Sequence, residues 1–248
     1  MKSNYYNKIA DDYHQKRKKP WGPLENYISE LNSQSYEFNG VNLDIGCANG
    51  RHFKLFKKKS NILIGIDNSF EFLKIANKIL NDSTIYSYKE KSNIHVLMAN
   101  VVNLPIRPNI VQNIFSIATI HHLENQNNRI RAMNQIIQVL TKNGYFIFTV
   151  WRRWQKKYRK YFFFDKLKRV FISSYKKMQK SKGLEYYGDN FIPWTISKKQ
   201  ETHERFYHFF SKKEVKKLLC NFEIKDIRKI GGSTGKDNFF IFSKILKD

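Results

Sequence analysis

Leu43-Asp44-Ile45-Gly46-Cys47-Ala48-Asn49-Gly50 is the stretch that decides the fold. A short apolar run at 41–45 ends there in a glycine-bounded turn, and residues 53–56 can then open a helix. Where a strand hands over to a helix, glycine permits close approach to the backbone, and the free amides can receive a carboxylate or phosphate. Outward from this turn the pattern alternates. A strand at 62–66 ends at Asp67 and a helix spans 70–80. Strands follow at 94–98 and 114–118, then a helix at 127–140 closed by Asn143-Gly144, then a strand at 145–150. Strands separated by helices form βαβ units and a parallel sheet covered on both faces. The expected fold is α/β, three-layered and Rossmann-like.

Asp67 adds chemistry to the turn. It lies 21 residues after Gly46, at the end of the second strand, where a carboxylate can accept both hydroxyls of a ribose. The G-x-G-x-x-G spacing is absent and Asp44 precedes the turn, which favours S-adenosylmethionine over a dinucleotide. A tight β-α turn beside a surface aspartate is the structural alternative.

The flanks define the rest of the chain. Residues 4–32 read as two helices, one with Tyr5, Ile9 and Tyr13 on a face and one with Leu24, Tyr27, Ile28 and Leu31. Two prolines and Gly22 break them apart. Between Trp151 and Lys182 stand thirteen basic residues against one acid, Asp165, with aromatic residues interleaved. That segment is too aromatic for a charged linker and reads as an insertion that orders on a partner. Ser211 and Glu214 form a capping box that opens a C-terminal helix. Strands at 222–230 and 239–245 flank a Gly-rich turn, a hairpin that would set one antiparallel strand at or near the sheet edge. The expected organisation is a single domain over 1–248: a helical cap at 1–40, a cofactor-binding core at 41–150, the basic aromatic insertion at 151–205, and the last part of the sheet at 206–248.

Charge narrows the partner. Lys and Arg number 45 against 21 Asp and Glu, a net +24, and such an excess suits a polyanion because bound phosphates release counterions. The same excess also fits a lineage rich in Lys, Asn and Ile. Cys47 and Cys220 are the only cysteines, too few for a disulfide framework or a zinc site of the chain's own, and this points to a reducing compartment. No apolar run approaches the ~18–20 residues that span a bilayer. Met1-Lys2-Ser3-Asn4 leads into a polar segment without a signal-peptide core. No membrane association is expected, and the cytoplasm, with the nucleus as a second location, is the expected compartment.

Asp44-Ile45-Gly46-Cys47-Ala48-Asn49-Gly50 resembles motif I of class I S-adenosylmethionine-dependent methyltransferases, with Asp67 where that class has its ribose-binding acid. Ala99-Asn100 falls at its adenine-facing position and Ile117-Ala118 on its fourth motif. Asp44, Gly46, Cys47, Gly50, Asp67, Asn68, Asn100, Val101, Ile117 and Ala118 are therefore the expected cofactor contacts. A narrower resemblance runs over nearly the whole chain. Tyr6-Asn7-Lys8-Ile9-Ala10, Arg17, Lys19-Pro20-Trp21, Asn103-Leu104-Pro105, and Ser116-Ile117-Ala118 with His121-His122 look like blocks of the eukaryotic tRNA wobble-uridine carboxymethyl methyltransferases. Phe191-Ile192-Pro193-Trp194, Arg205-Phe206-Tyr207-His208 and Lys236-Asp237-Asn238-Phe239 continue the series in the family's order. This resemblance implies methyl transfer to the carboxylate of 5-carboxymethyluridine in tRNA, and a small zinc-binding activator subunit as partner in a heterodimer. The chain departs from the family at four places. Ala48 replaces a glycine, a change tolerated if its φ is negative; Asn100 replaces an aspartate; Phe239-Phe240 replaces a tryptophan pair; Lys18 stands where an aromatic is usual.

A carboxylate, with a reference pKa near ~4, is already an anionic nucleophile at neutral pH. The site then needs positioning groups rather than a general base. Arg17 and His121 are the catalytic candidates, and Arg17 has a second role open to it, on the cofactor's own carboxylate. Lys19, Trp21, His122, Trp194, Tyr207, Asp237 and Asn238 are the candidate substrate contacts. His121 and His122, adjacent in sequence, do not form a metal pair; one capping or core histidine beside an exposed one is their structural alternative. Two other readings stay open: a methyltransferase of a small, quinone-like molecule, and a non-catalytic RNA-binding protein that keeps the fold.

Overall fold

The computed structural model describes residues 5–57 and 60–247. Asn4 of the first expected helix, and Met1-Lys2-Ser3 before it, lie outside the described residues. Helices α1 (Tyr5–Lys16) and α2 (Gly22–Ser33) precede β1 (Gly40–Ile45), α3 (Phe53–Lys57), β2 (Ser60–Asp67) and α4 (Phe70–Leu80). Then come α5 (Tyr88–Lys91), β3 (Ile94–Met98), β4 (Val111–Ile117), a 3-10 turn (Ile120–His122), α6 (Gln126–Val139) and β5 (Leu140–Trp151). The chain continues through α7 (Arg159–Phe171), α8 (Ser173–Ser181), β6 (Asp189–Thr195) and β7 (Thr202–His208), and finishes with α9 (Lys212–Leu218), β8 (Phe222–Ile230) and β9 (Asn238–Ile245).

Seven strands form one sheet in the order β3-β2-β1-β4-β5-β9-β8. β1 to β5 are parallel, and β9 runs antiparallel between β5 and β8 as the second arm of the expected C-terminal hairpin. Consecutive strand residues point to opposite faces, and both faces are buried. Ile114, Phe146 and Phe148 join α6 residues Ala132, Met133 and Ile136 on one side. Phe115 and Ile147 join Leu24, Tyr27 and Ile28 of α2 and Leu73 and Ala76 of α4 on the other. Three layers result.

Strand order reverses between β1 and β4, the place where α/β sheets open a crevice beyond their carboxyl ends. Motif I follows β1, Asp67 ends β2, and Ala118 follows β4, so all three meet at that crevice.

Two expectations need correction. Asn143-Gly144 does not close α6; the helix ends at Val139, and both residues lie within β5. Pairing runs from Val111 with Leu140 to Asn113 with Tyr145, so 141–144 are absorbed as an irregularity of the strand. The basic insertion is also folded on its own chain rather than awaiting a partner. Its aromatic residues build a third core, where Phe162 packs with Ile192, Tyr207 and Phe209. Buried Asp165 accepts from Arg169 Nε at 2.8 Å and from the Tyr175 hydroxyl at 2.9 Å, which fixes α7 against α8. The outer face of α7 leaves Phe163, Phe164, Val170 and Phe171 exposed among lysines. Among the described residues no helix is long and apolar enough to cross a membrane.

Candidate active site

An open cleft of about 920 Å³ lies over the carboxyl ends of β1, β2 and β4. Its floor is motif I. The amides of Gly46 and Cys47 both donate to the Ile66 carbonyl, at 2.7 and 3.0 Å, and draw the turn onto β2. Gly46 has φ +75°, and a Cβ there would collide with the Thr119 side chain. Two residues on, Ala48 has φ +49°, so the condition under which alanine would fit without strain is not met. Ala118, across the cleft, is also left-handed at φ +56°. Two non-glycine residues held this way at one crevice are strain kept at a functional site.

The left-handed turn aims the Ala48 amide at Asp67 Oδ2, 2.9 Å away, while the Ser69 amide donates to Oδ1 at 2.8 Å. Burial pushes the Asp67 carboxyl up, and these backbone bonds partly offset it. Its remaining lone pairs face the cleft with Asn68, ready for vicinal hydroxyls. Asn100 Oδ1 accepts from the Val102 amide at 3.2 Å, which orients the side chain at the wall formed with Val101. Ile117 and Ala118 complete this side, the Ala118 amide held by Thr149 Oγ1 at 2.9 Å.

Three expected cofactor residues stand behind the floor and do not line the cleft. The Cys47 thiol is buried in the core against Phe53 and Leu63 and is pushed up by burial and then by the charges of Asp67 and Asp44. Gly50 has φ +71° under the Phe53 ring, a structural turn. Asp44 is buried, its Oδ2 has no partner among the described residues, and burial followed by the nearby Asp67 charge raises its carboxyl to about 8. An orphaned buried carboxyl oxygen beneath motif I, the bare Cα of Gly46 and a pre-set Asp67 together fit S-adenosylmethionine.

The opposite wall comes from α1, the segment after it, the β6–β7 hairpin and the turn between β8 and β9. Arg17, Lys19, Trp21, Trp194, Tyr207, Asp237 and Asn238 all line it. Arg17 is exposed, with Nη1 donating to the Lys16 carbonyl at 3.0 Å. Trp21 packs on Phe240 at 5.0 Å between centroids, and Gly231 is bare because a Cβ would meet the indole at 2.6 Å. The Asp237 carboxylate is spent inside its loop on Thr234 Oγ1 at 2.6 Å and Ser233 Oγ at 3.3 Å.

The two adjacent histidines part company. His121, expected to position substrate, is fully buried and off the cleft. Its Nδ1 accepts from the Trp151 amide at 3.3 Å and its ring stacks on Tyr207 at 4.9 Å, so it braces the wall from behind. The tight 3-10 turn sends His122 into the cleft instead. His122 Nδ1 donates to the Phe206 carbonyl at 3.0 Å, and burial lowers its pKa to about 3, leaving a neutral ring.

Sequence reasoning missed three groups. Asn49, fully buried in motif I, donates to the Arg17 carbonyl at 3.0 Å and contacts His14 Nδ1 at 2.9 Å, tying the cap to the floor. Asn7 Oδ1 accepts from Ser69 Oγ at 2.7 Å and caps the start of α4. Arg205 enters the cleft from β7, whereas the sequence of its block directs attention to Tyr207 and His208. Its signal was a lone cation in an aromatic block.

Comparison with known proteins is consistent with this geometry. Residues 43–148 match the model of a methyltransferase domain. A tRNA (carboxymethyluridine(34)-5-O)-methyltransferase of Schizosaccharomyces pombe is 28% identical over 218 residues, which cover 86% of this chain and 84% of that protein. The protein of that name from Arabidopsis thaliana is 32% identical over 146 residues, 59% of this chain but 31% of its own length. Among solved structures, a SAM-dependent methyltransferase from Methanosarcina mazei superposes with a TM-score of 0.67 at 19% identity, covering 93% of this chain and 100% of that one. At that identity the likeness is one of fold.

Proposed function

We infer that this chain is a class I S-adenosylmethionine-dependent methyltransferase whose acceptor is the carboxylate of 5-carboxymethyluridine at the tRNA wobble position. The observation that carries the reading is what the cleft lacks among the described residues: a general base. Its only carboxylates are Asp67 and Asp237. The first holds two backbone amides and the second is spent in its own loop. His122 is a neutral ring too weakly basic for the task. A cleft of this kind suits a nucleophile that arrives ionised, and a carboxylate does so at neutral pH. The relatives that match most of this chain carry a name specifying that acceptor.

When bound, S-adenosylmethionine supplies an electrophilic methyl group. We assign Asp67 and Asn68 to its ribose, Asn100 and Val101 to its adenine, and Gly46, Ala48, Ile117 and Ala118 to the surfaces that enclose it. The substrate carboxylate oxygen gains the methyl group, the methyl–sulfur bond breaks, and no proton moves. The chain's task is to bring the oxygen in line and exclude water, which accounts for a wall of Trp21, Trp194 and Tyr207 rather than acids. Lys16, Arg17, Lys18, Lys19 and Lys157 ring the mouth and suit the phosphates of an anticodon loop.

We propose tRNA and a small zinc-binding subunit as partners. We place the latter on the unpaired edge at β3, where Leu97 and Met98 are exposed. The cytoplasm or nucleus is the compartment this substrate requires. The test is a labelled methyl-transfer assay on tRNA lacking the ester, with the chain co-purified with that subunit and the product nucleosides analysed by mass. A base-labile ester on 5-carboxymethyluridine is expected. Label on another nucleoside, or on a small molecule without RNA, would refute the acceptor.

A further inference from the structure

The cleft holds a cation that has no ion-pair partner among the described residues. Arg205 is 8% exposed, and its Nε is buried without a hydrogen-bond partner. No ion pair among the described residues includes it. The other buried arginines are satisfied. Arg153 binds both oxygens of Glu214, at 2.6 and 2.7 Å, and the Phe209 carbonyl at 3.1 Å. Arg129 donates to the Leu123 carbonyl at 2.7 Å. Leaving a buried charge unpaired is costly, and folds retain one where a ligand supplies the partner.

The surroundings specify that ligand. The guanidinium is held between the rings of Trp194 and Tyr207, 4.7 and 5.1 Å from their centroids. Such stacking fixes the plane of the fork and leaves its edge as the binding surface. Nearby Tyr6, His122 and Tyr207 are neutral, and none offers a negative charge. A planar, oriented, desolvated guanidinium in neutral aromatic walls is built for one planar anion, a carboxylate.

We propose that Arg205 is the carboxylate receptor of the acceptor base. It pairs with the carboxymethyl group, holds the oxygen that is not methylated, and thereby selects 5-carboxymethyluridine over uridine and over the isosteric 5-carbamoylmethyluridine. This rests on the reading that the acceptor is a carboxylate. No proton passes through Arg205 in this step. The anion it binds becomes a neutral ester when the oxygen–carbon bond forms, so the ion pair dissolves with the chemistry and the product is released. Arg17, exposed at the mouth, is left for phosphate or for the cofactor's own carboxylate.

The test uses the full chain with its partner subunit and three anticodon stem-loops, identical except for 5-carboxymethyl-, 5-carbamoylmethyl- or unmodified uridine at the wobble position. Wild type is expected to methylate the first and to bind it about tenfold or more tightly than the second, the scale of a charge-assisted pair. Arg205→Gln should reduce that preference to within about twofold. It should leave S-adenosylmethionine affinity, by calorimetry, within about the same factor, because the receptor is for the base. A retained preference, or a lost cofactor affinity, overturns the proposal. If Arg205→Gln does not fold, Arg205→Lys decides: charge without the fork should cut the preference about fivefold, and an unchanged preference overturns it. Wild type that ignores the carboxymethyl stem-loop refutes the acceptor reading itself, a result distinct from a wild type that acts on it and a variant that still discriminates.

Discussion

Replacing Ala48 by glycine should stabilise the protein. The methyl group of Ala48 sits on a backbone at φ +49°, where an L-residue costs about 1–2 kcal/mol. Glycine removes that cost and gives back about 0.5–1 kcal/mol through the greater freedom of the unfolded chain. The net gain is about 1 kcal/mol, which in a domain of this size raises Tm by about 2–4 °C. The turn is not free to relax instead, because its amide is committed to Asp67 Oδ2 at 2.9 Å and the preceding amides to the Ile66 carbonyl. Ala48→Val provides the opposite arm: a β-branched side chain in the same region should lower Tm. Thermal unfolding followed by circular dichroism, with urea denaturation to separate stability from cooperativity, measures both. A glycine variant with lower Tm than wild type would refute the strain argument. So would a valine variant that matches wild type.

Asp67→Ala should abolish measurable S-adenosylmethionine binding by calorimetry, since it removes the acceptor of the ribose hydroxyls and strands the Ala48 and Ser69 amides; binding within about tenfold of wild type would remove that assignment. Stability should fall with acid earlier than carboxylates alone would dictate. His52, His121 and His122 are all held below the usual imidazole pKa, first by burial, with His122 near 3. A group depressed on folding is neutral in the native state, so its contribution is whole above about pH 6.5 and is lost as pH falls below it, at up to ~1.4 kcal/mol per pH unit for each ring. A Tm flat from pH 7.5 to 5 would contradict their burial. Replacing Lys157, Arg159 and Lys160 by alanine should weaken tRNA binding and flatten its salt dependence by about two to three units of log-log slope; an unchanged slope would place the phosphate contacts elsewhere.

The alternation from β1 to β5 was legible because strands buried on both faces are short and almost wholly apolar, and Phe70–Leu80 was legible to the residue because Ser69 caps it and its apolar stripe runs to Leu80. The β6–β7 hairpin was not. Its strands carry Pro193 on one arm and Glu204 and Arg205 on the other, and their burial does not alternate, so neither periodicity nor composition marks them. At the site, spacing located the glycine-rich turn but could not give the sign of φ at Ala48. The choice between His121 and His122 was equally hidden, since it depends on a 3-10 turn that spacing does not encode and on the Trp151 amide that caps one ring. Arg205 was legible only as part of a block. Its importance comes from having no ion-pair partner among the described residues, which no one-dimensional pattern records.

The cleft joins two structures of different origin, and three small polar side chains hold them in register. The sheet provides the floor, while α1 and the hairpin, about 180 residues further along the chain, provide the opposing wall. Asp12 is the bond between the two parts of that wall. It accepts from Lys16 Nζ at 2.7 Å, from the Trp194 indole at 2.8 Å and from the Ser197 amide at 2.9 Å. Desolvation works against its charge, and these donors overcome it, drawing the carboxyl down to about 2. Asn49 then ties the segment after α1 to motif I, and Asn7 ties α1 to the helix that follows Asp67. Trp194, held by Asp12, is one of the two rings that clasp Arg205. The cation facing the acceptor and the turn facing the methyl donor are therefore positioned through one chain of short hydrogen bonds. In-line transfer to an ionised oxygen needs little else from a protein than that registration.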